Sequence, residues 1–539
     1  MPHSPRLFSQ TRQDDTQECQ DRVKKQKRIQ TTMPQLRESI AQHYHERTKY
    51  DPQTLATKSQ GLDWAKQPVP FKEYKIGTSF DLKPYIQDDP ETFVNNPSAL
   101  WWQRLSRLLF CSYGLTAKMG SAVYLRAAPS AGGLYPAEVY IVSRGTSLLP
   151  AGLYNYQPLT HSLMLYWESD VWQALQDACF WHPALENTQL AIITTAIFYR
   201  SAWRYQDRAY RRIFLDTGHL LGNIELAGAI SDYRPHLIGG FVDEAVNELL
   251  YIDPQNEGAI AVMAVADLLD INQNLPLATT ALPSGTQTEF PQIPDGELLR
   301  YFHQATQIKP GTTSQQKKPE VKSEQSPDDK YNFPFCLKVP TATKPINWGE
   351  YLEGLETTIL KRRSTRAYSG ANLTFDELKA LLDFTYQPQN YIDQGFDASP
   401  DYFDLDLIET FIAVSGVTGL EEGCYYYAPK AQELRQIRFK NFRRELHYLC
   451  LGQELGRDAG AVLFHTADLK TAIAKYGDRV YRYLHMDAGH LGQRLNLAAI
   501  RLNVGVSGIG GFFDDQVNEV LGIPTDEAVL YITTLGRPR

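Results

Sequence analysis

Hydrophobic positions fall into two patterns along this chain, and the same series of patterns occurs twice. Short apolar runs rich in β-branched and aromatic residues predict buried strands: AEVYIVS (137–143), LAIITTA (190–196) and AIAVMAV (259–265) in the first half. IETFIAVS (408–415), AVLFHTA (461–467) and AVLYITTLG (528–536) answer them in the second. GLYNYQP (152–158) and GCYYYAP (423–429) read as the partner strands of hairpins, their tyrosines packing strand against strand. LWWQRLSRLLFCSY (100–113) and FDELKALLDFTY (375–386) carry helical spacing. Leu484, Ala488, Leu491, Leu495, Ala498 and Leu502 form an apolar stripe. It predicts a helix of about 24 residues, or ~36 Å, long enough to cross a domain.

The two series are a duplication. Residue i of the first half lies over residue i+271 of the second without a gap from about Glu138 to Leu250. Between 205 and 250 there are 20 identities in 46 positions, including YQDRAYRRIFLDTGHL over YGDRVYRYLHMDAGHL, and IGGF (238–241) over IGGF (509–512). Strands and helices that do not alternate as regular βα units predict an α+β class. The expected architecture is two tandem α/β sandwich domains joined as an intrachain pseudo-dimer, the covalent counterpart of a twofold dimer. The boundaries predicted are a disordered tail at 1–32, an extension at 33–97 with a helix over 33–50, and a first domain at 98–271. A linker at 272–340, with one short helical candidate at 296–306 and disorder around 310–330, and a second domain at 341–539 complete the chain. The extension is a candidate cover for the mouth of a site.

Composition narrows the chemistry. The 539 residues carry a formal net charge of −8, against a nucleic-acid partner. Six scattered cysteines without a CxxC argue against structural zinc and suit a reducing compartment. No apolar run reaches the ~18 residues of a membrane span, and the N-terminus has no signal-peptide core, so a cytoplasmic protein with no membrane span is expected. The basic cluster VKKQKR (23–28) reads as part of a solvated tail. No GxGxxG, Walker A, GxSxG, HExxH or metal-spaced His/Cys set is present.

What each copy lost points to the site. The second copy has Arg362, Arg363, Ser364 and Arg366 near its start, and Arg537 and Arg539 at its end. Guanidiniums from opposite ends of a domain with a hydroxyl among them suit a phosphate, because Arg binds its oxygens in pairs. A solvated basic face is the plain alternative. The first copy has PSAGGLYP (129–136), where small residues let backbone approach a flat ligand. Shifted by 271, that loop falls on PDYFDLDL (400–407), whose Asp401, Asp404 and Asp406 would repel an anion. The arginine motif shifted the other way meets no arginine in 89–95, and the terminal Gly-Arg is replaced near Val265–Asp267. One composite site across the interface is therefore expected, its symmetry mate abolished.

The order RRSTR, PSAGGLYP, a long helix, IGGF and a C-terminal Gly-Arg resembles the FMN-dependent nitroreductase superfamily. The KYGDRVYRYLHMDAGH run (475–490) is similar to its SagB-type branch, which includes thiazole/oxazole peptide dehydrogenases. The resemblance implies FMN bound at the interface. Arg362, Ser364, Arg366, Arg537 and Arg539 would hold phosphate and ribityl, and Pro129, Ser130 and Gly133 would contact the ring from the other domain. Backbone N–H groups of Gly510 and Gly511 would face the flavin N5 edge. It further implies Lys475 and Tyr476 as a catalytic pair. His219 and His490, Asp216 and Asp487, and Asn247 and Asn518 recur in both copies, and they read as packing or helix-interface residues. The function implied is a two-electron oxidation or reduction of a small-molecule or peptide substrate, with NAD(P)H or O2 as redox partner. Dehydrogenation is preferred. An NAD(P)H-dependent nitro or quinone reductase and a non-catalytic peptide-binding scaffold are the alternatives.

Overall fold

The computed structural model describes residues 38–55, 61–86, 96–120, 123–270, 272, 280–311 and 328–539. The tail read at 1–32 and most of the disorder read around 310–330 lie outside these residues.

Two seven-stranded antiparallel sheets share one topology. The first holds β1 (Thr78–Asp81), β2 (Ala137–Ser143), β3 (Gly152–Gln157), β4 (Ser162–Glu168), β5 (Leu190–Ile197), β6 (Tyr233–Ile238) and β7 (Glu257–Asp267). Its order is β1-β4-β3-β2-β5-β7-β6. The second holds β8 (Lys338–Pro340), β9 (Glu409–Val414), β10 (Gly423–Ala428), β11 (Glu433–Arg438), β12 (Ala461–Asp468), β13 (Gly505–Ile509) and β14 (Glu527–Gly536). Its order is β8-β11-β10-β9-β12-β14-β13, the same arrangement displaced by seven strands. Strand β2 is buried along its whole length, which is why its run of Val, Tyr and Ile shows no polar alternation. Strand β1 comes from the extension and pairs with β4 through Thr78–Leu165, so the extension completes the first sheet.

The helices that matter for the site are α1 (Ile40–Thr48), α2 (Pro97–Tyr113), α3 (Phe198–Tyr205), α4 (Ala209–Ile230), α5 (Leu298–Ala305), α6 (Glu353–Lys361), α7 (Phe375–Tyr386), α8 (Leu469–Tyr476) and α9 (Val480–Arg501). A stripe on one face was expected for α9. Instead α9 and its copy α4 are buried on nearly every side, each between its own sheet and the other domain's long helix. They cross at equivalent glycines. A Cβ on Gly218 would lie 2.9 Å from the Gly489 Cα, and one on Gly489 would lie 3.0 Å from the Gly218 Cα. Only glycine lets two helix backbones approach this closely. One apolar cluster runs through this crossing from sheet to sheet, while the outer faces of the two sheets have clusters of their own.

Ion pairs repeat the twofold. Asp514 of the second domain takes Arg208 Nη1 at 2.8 Å and Arg211 Nη1 at 2.6 Å from the first. Asp243 of the first takes Arg479 Nη1 at 2.6 Å and Arg482 Nη1 at 2.7 Å from the second. All six side chains are buried. Each carboxylate is desolvated but met by two guanidiniums, the arrangement that makes removal of one partner costly. Residues 280–311, read as linker, instead pack into the body: Phe302 of α5 stacks on Tyr44 of α1 with ring centroids 4.4 Å apart. Their low hydrophobic density concealed a few well-placed apolar anchors. Among the described residues no helix is long and apolar enough to cross a membrane.

Candidate functional site

The arginine motif leaves α6 as an extended segment held beside the chain end. Thr365 N–H donates to the Val506 carbonyl at 2.9 Å, Ser369 N–H to that of Arg537 at 2.9 Å, and Arg539 N–H to that of Ala367 at 3.2 Å. Sequence ends 170 residues apart thus become neighbouring strands, as two sources of arginine for one ligand require. Arg362 then crosses to the first domain. Its Nε donates to the Ala127 carbonyl at 2.7 Å and its Nη2 to that of Arg126 at 3.3 Å. Arg363 follows, its Nη2 donating to the Thr116 carbonyl at 3.1 Å. The motif of one domain therefore sits beside the residues that open PSAGGLYP of the other.

Arg362 is buried, yet its Nη1 has no partner. Burial, with Arg363 and Arg366 adding like charge, brings its pKa down to about 10. Ser364 is half-buried, and Arg366 is exposed to solvent beside it. The two terminal arginines differ: Arg537 is engaged by Glu377 at 2.7 Å, in the capping box of α7, and Arg539 is exposed.

The loop is held by a residue that the sequence reading assigned to packing. The Asp216 carboxylate accepts from Ser130 Oγ at 2.6 Å and Ala131 N–H at 3.0 Å, while Ser130 Oγ accepts from Tyr135 N–H at 2.9 Å. Burial lifts the Asp216 pKa to about 7. Gly132 and Gly133 both have positive φ, 67° and 66°, so glycine is required for the turn. A Cβ on Gly133 would meet nothing within 4 Å, so the turn presents open space on that side. His219 and His490 do lie at the helix interface. His219 bonds Gln493 Oε1 at 2.8 Å and Tyr531 Oη at 2.9 Å, and His490 approaches Glu225 at 3.3 Å.

Gly510 and Gly511 face the first domain: Arg212 lies against both, and Tyr50 of the extension is the next neighbour of Gly511. The Arg212 guanidinium stacks on Tyr205, Cζ 3.8 Å from the ring centroid. Tyr205 in turn lies beside Gly132, with its hydroxyl 2.8 Å from where a Cβ would be. Tyr205, Arg204 and Arg212 thus stand between the loop and the glycine pair. Burial raises the Tyr205 pKa, and the two arginines oppose the rise.

Lys475 and Tyr476 are placed elsewhere. Lys475 Nζ lies 2.5 Å and Tyr476 Oη 3.0 Å from the Asp404 carboxylate, in the half equivalent to the abolished site. Burial and then Asp404 push the Tyr476 pKa up. The reason is topological. Helices α3 and α8 each pack against the loop of their own domain, whereas the arginines come from the partner. The pair beside the intact loop is therefore Arg204–Tyr205.

The mate is closed by packing as well as charge. Phe403 lies against Gly239 and Leu282 against Gly240, where the equivalent Gly510 and Gly511 of the intact half meet Arg212. Its acids do not stand as bare repulsive charges: Asp401 pairs with Arg234 at 2.8 Å, Asp404 with Lys475, and Asp406 with Lys430 at 2.9 Å. Asp487, the copy of Asp216, holds this loop through Phe403 and Asp404 N–H groups at 3.0 and 2.9 Å.

Known proteins share this architecture. A crystal structure of an Anabaena variabilis protein described as a nitroreductase has a TM-score of 0.88 and 76% identity, covering 93% of this chain and 100% of that one. A Methanocaldococcus jannaschii protein named as a nitroreductase is 33% identical over 183 residues, 34% of this chain and 90% of its own. The microcin B17-processing protein of Escherichia coli is 26% identical over 148 residues, which is 26% of this chain; the matched stretch spans 54% of that relative. The nitroreductase family model matches residues 105–267 and 359–537, one copy in each half and more than half of the whole. The chain belongs to the nitroreductase family, as two tandem copies of its domain.

Proposed function

We propose that this protein is an FMN-dependent oxidoreductase with one flavin site, clasped between the arginine motif of the second domain and the 129–136 loop of the first. The observation that carries the reading is Arg362: a buried guanidinium reaching across the interface with Nη1 unpartnered beside two further arginines. A buried cation without a counter-charge is costly, and a phosphate would supply the missing acceptor. The residues fit FMN. Arg362, Ser364 and Arg366 would hold the phosphate and ribityl, with Arg539 at the rim and Arg537 steadied by Glu377. Pro129, Ser130 and Gly133 would line the ring, and Gly510 and Gly511 would offer backbone N–H groups to its edge. Bound FMN would supply reversible two-electron exchange with an organic substrate, a small molecule or a peptide.

The chain's own part is positioning and proton control. Asp216 fixes the loop, Arg362 ties the second domain to the Arg126 and Ala127 carbonyls that precede this loop, and Tyr205 offers a hydroxyl that can hold or pass a proton beside the site. Lys475 and Tyr476 would then serve the closed half as an ion-paired seal. The test is flavin uptake by the full chain followed at about 450 nm. Arg366→Ala should weaken FMN binding by about tenfold or more, as expected for loss of a charged hydrogen bond, while Asp404→Ala should leave it unchanged. Equal loss in both would sink the reading. Anaerobic stopped-flow separates the redox partners: rapid NAD(P)H oxidation marks a reductase, and its absence with substrate-driven bleaching marks a dehydrogenase.

A further inference from the structure

The two halves provide an internal comparison at two positions one helical turn apart. In the closed half Arg479 is saturated: Nε donates to Tyr483 Oη at 2.9 Å, Nη1 to Asp243 and to the Thr306 carbonyl at 3.2 Å, and Nη2 to the Gly239 carbonyl at 3.1 Å. Tyr483 Oη is itself bonded to the Gly239 and Leu282 carbonyls at 3.1 and 2.9 Å. In the intact half the equivalents are Arg208 and Arg212. Arg208 is 4% exposed and keeps its pair with Asp514, but its Nε and Nη2 are buried with no partner. Arg212 is 7% exposed, and its Nε is likewise buried without a partner. Replacing a tyrosine by a second arginine one turn away sets two like charges together, which is unfavourable unless an anion joins them.

Arg208 opens onto a cleft of about 360 Å³, lined also by Tyr50, Leu55, Leu62, Arg204 and Tyr205. The acids on its rim are already occupied. Asp207 accepts the backbone N–H groups of Gly296 and Leu299, and Asp295 pairs with Arg47. Arg204 is exposed on the same wall, while the guanidiniums of Arg208 and Arg212 lie on the rings of Tyr50, at 4.1 Å, and Tyr205. Aromatic and leucine walls suit an apolar, ring-sized body; the arginines suit a planar anionic end that accepts two hydrogen bonds at once.

We infer that this cleft is the substrate subsite and that it selects a carboxylate with a flat apolar body, the carboxylate being received by Arg208 with Arg204 at the entrance and Arg212 behind the Tyr205 ring. The inference rests on the flavin reading for its role in turnover, but the anion site stands on this chain's residues alone. In the closed half Tyr483 and Leu282 stand at the equivalent place, and the cleft of about 410 Å³ beside its loop is lined by Asp404, Asp406 and Lys475 instead of paired arginines.

The probe is benzoate, with benzamide as its uncharged counterpart, added to the full chain loaded with FMN. Benzoate should perturb the flavin absorption band and bind by calorimetry, and benzamide should do neither. Arg204→Ala at the exposed entrance should retain FMN, and FMN uptake by Arg212→Tyr, which installs the closed half's residue, is measured alongside benzoate binding. Benzoate should bind about tenfold or more weakly in Arg212→Tyr and less weakly in Arg204→Ala, with Arg212→Lys recovering part of the affinity. Undiminished benzoate binding in both variants overturns the inference. Loss of FMN with benzoate binding intact in Arg212→Tyr also overturns it, by assigning the arginine to the cofactor. If the chain takes up no FMN, the flavin reading fails, and calorimetry on the colourless protein still decides the cleft: arginine-dependent benzoate binding supports it, and no binding rejects it.

Discussion

At the scale of single residues, the pseudo-twofold makes each position a comparison with its copy. His485 replaces Phe214 and is fully buried, its Nδ1 facing the Tyr481 carbonyl at 2.8 Å. Burial, then the charge of Arg211, pulls its pKa down to about 3. A depressed histidine stays neutral in the fold while the unfolded chain takes up a proton below about 6.5. Its contribution is therefore whole above that pH and is lost as pH falls toward 3. Between pH 7 and 5 the linkage amounts to about 2 kcal/mol. His485→Phe should accordingly lose about that much less stability than the natural chain over this interval, measured by urea denaturation at the two pH values. Parallel losses would show that His485 is not held neutral. Asp216 shows the limit of the comparison. Its recurrence as Asp487 suggested packing, yet both hold loops, because a clamp is needed whether the loop serves a ligand or a seal.

At the scale of elements, the crossing of α4 and α9 decides the geometry of everything above it. A methyl group on Gly489 would strike the Leu215 carbonyl, and the helices can yield only by moving apart. Gly489→Ala should cost about 1–3 kcal/mol through overpacking. Because the crossing sets how far Arg362 reaches, flavin affinity should fall with it. A variant of unchanged stability and unchanged affinity would remove the crossing from this role. Strand and helix identity were legible from the sequence, since the apolar runs of β2, β5 and β12 and the helical spacing in α2, α7 and α9 report burial directly. Which loop each element faces was not. Lys475 and Tyr476 were expected to be catalytic on the resemblance alone, whereas α8 packs on its own domain's loop and the arginines cross over. Arg208 and Arg211 were likewise hidden, because their counter-charge Asp514 lies some 300 residues away and leaves no local pattern.

For the whole molecule, the shift of 271 residues correctly anticipated two like domains, since identity at helix positions 205–228 reflects one shared interface. It missed the segments that have no copy. Residues 280–285 seal the closed half, Ser284 N–H donating to the Tyr476 carbonyl at 3.0 Å, and the extension brings Tyr50 to Gly511 in the open half. With one half sealed, the full chain should bind one FMN rather than the two of a symmetric pair. Flavin released by heat and measured against protein concentration gives the ratio, and a value of two would show that the sealed half still opens.

The sealed half has a further consequence. In a symmetric pair encoded by one shorter gene, every substitution lands on both sides of the axis, so a change that improves one cavity is imposed on the scaffold of the other. Here Arg212 and Tyr483 occupy matching places in one polypeptide and are inherited separately. One side can thus be tuned for its guest while the other is kept as ballast for the frame.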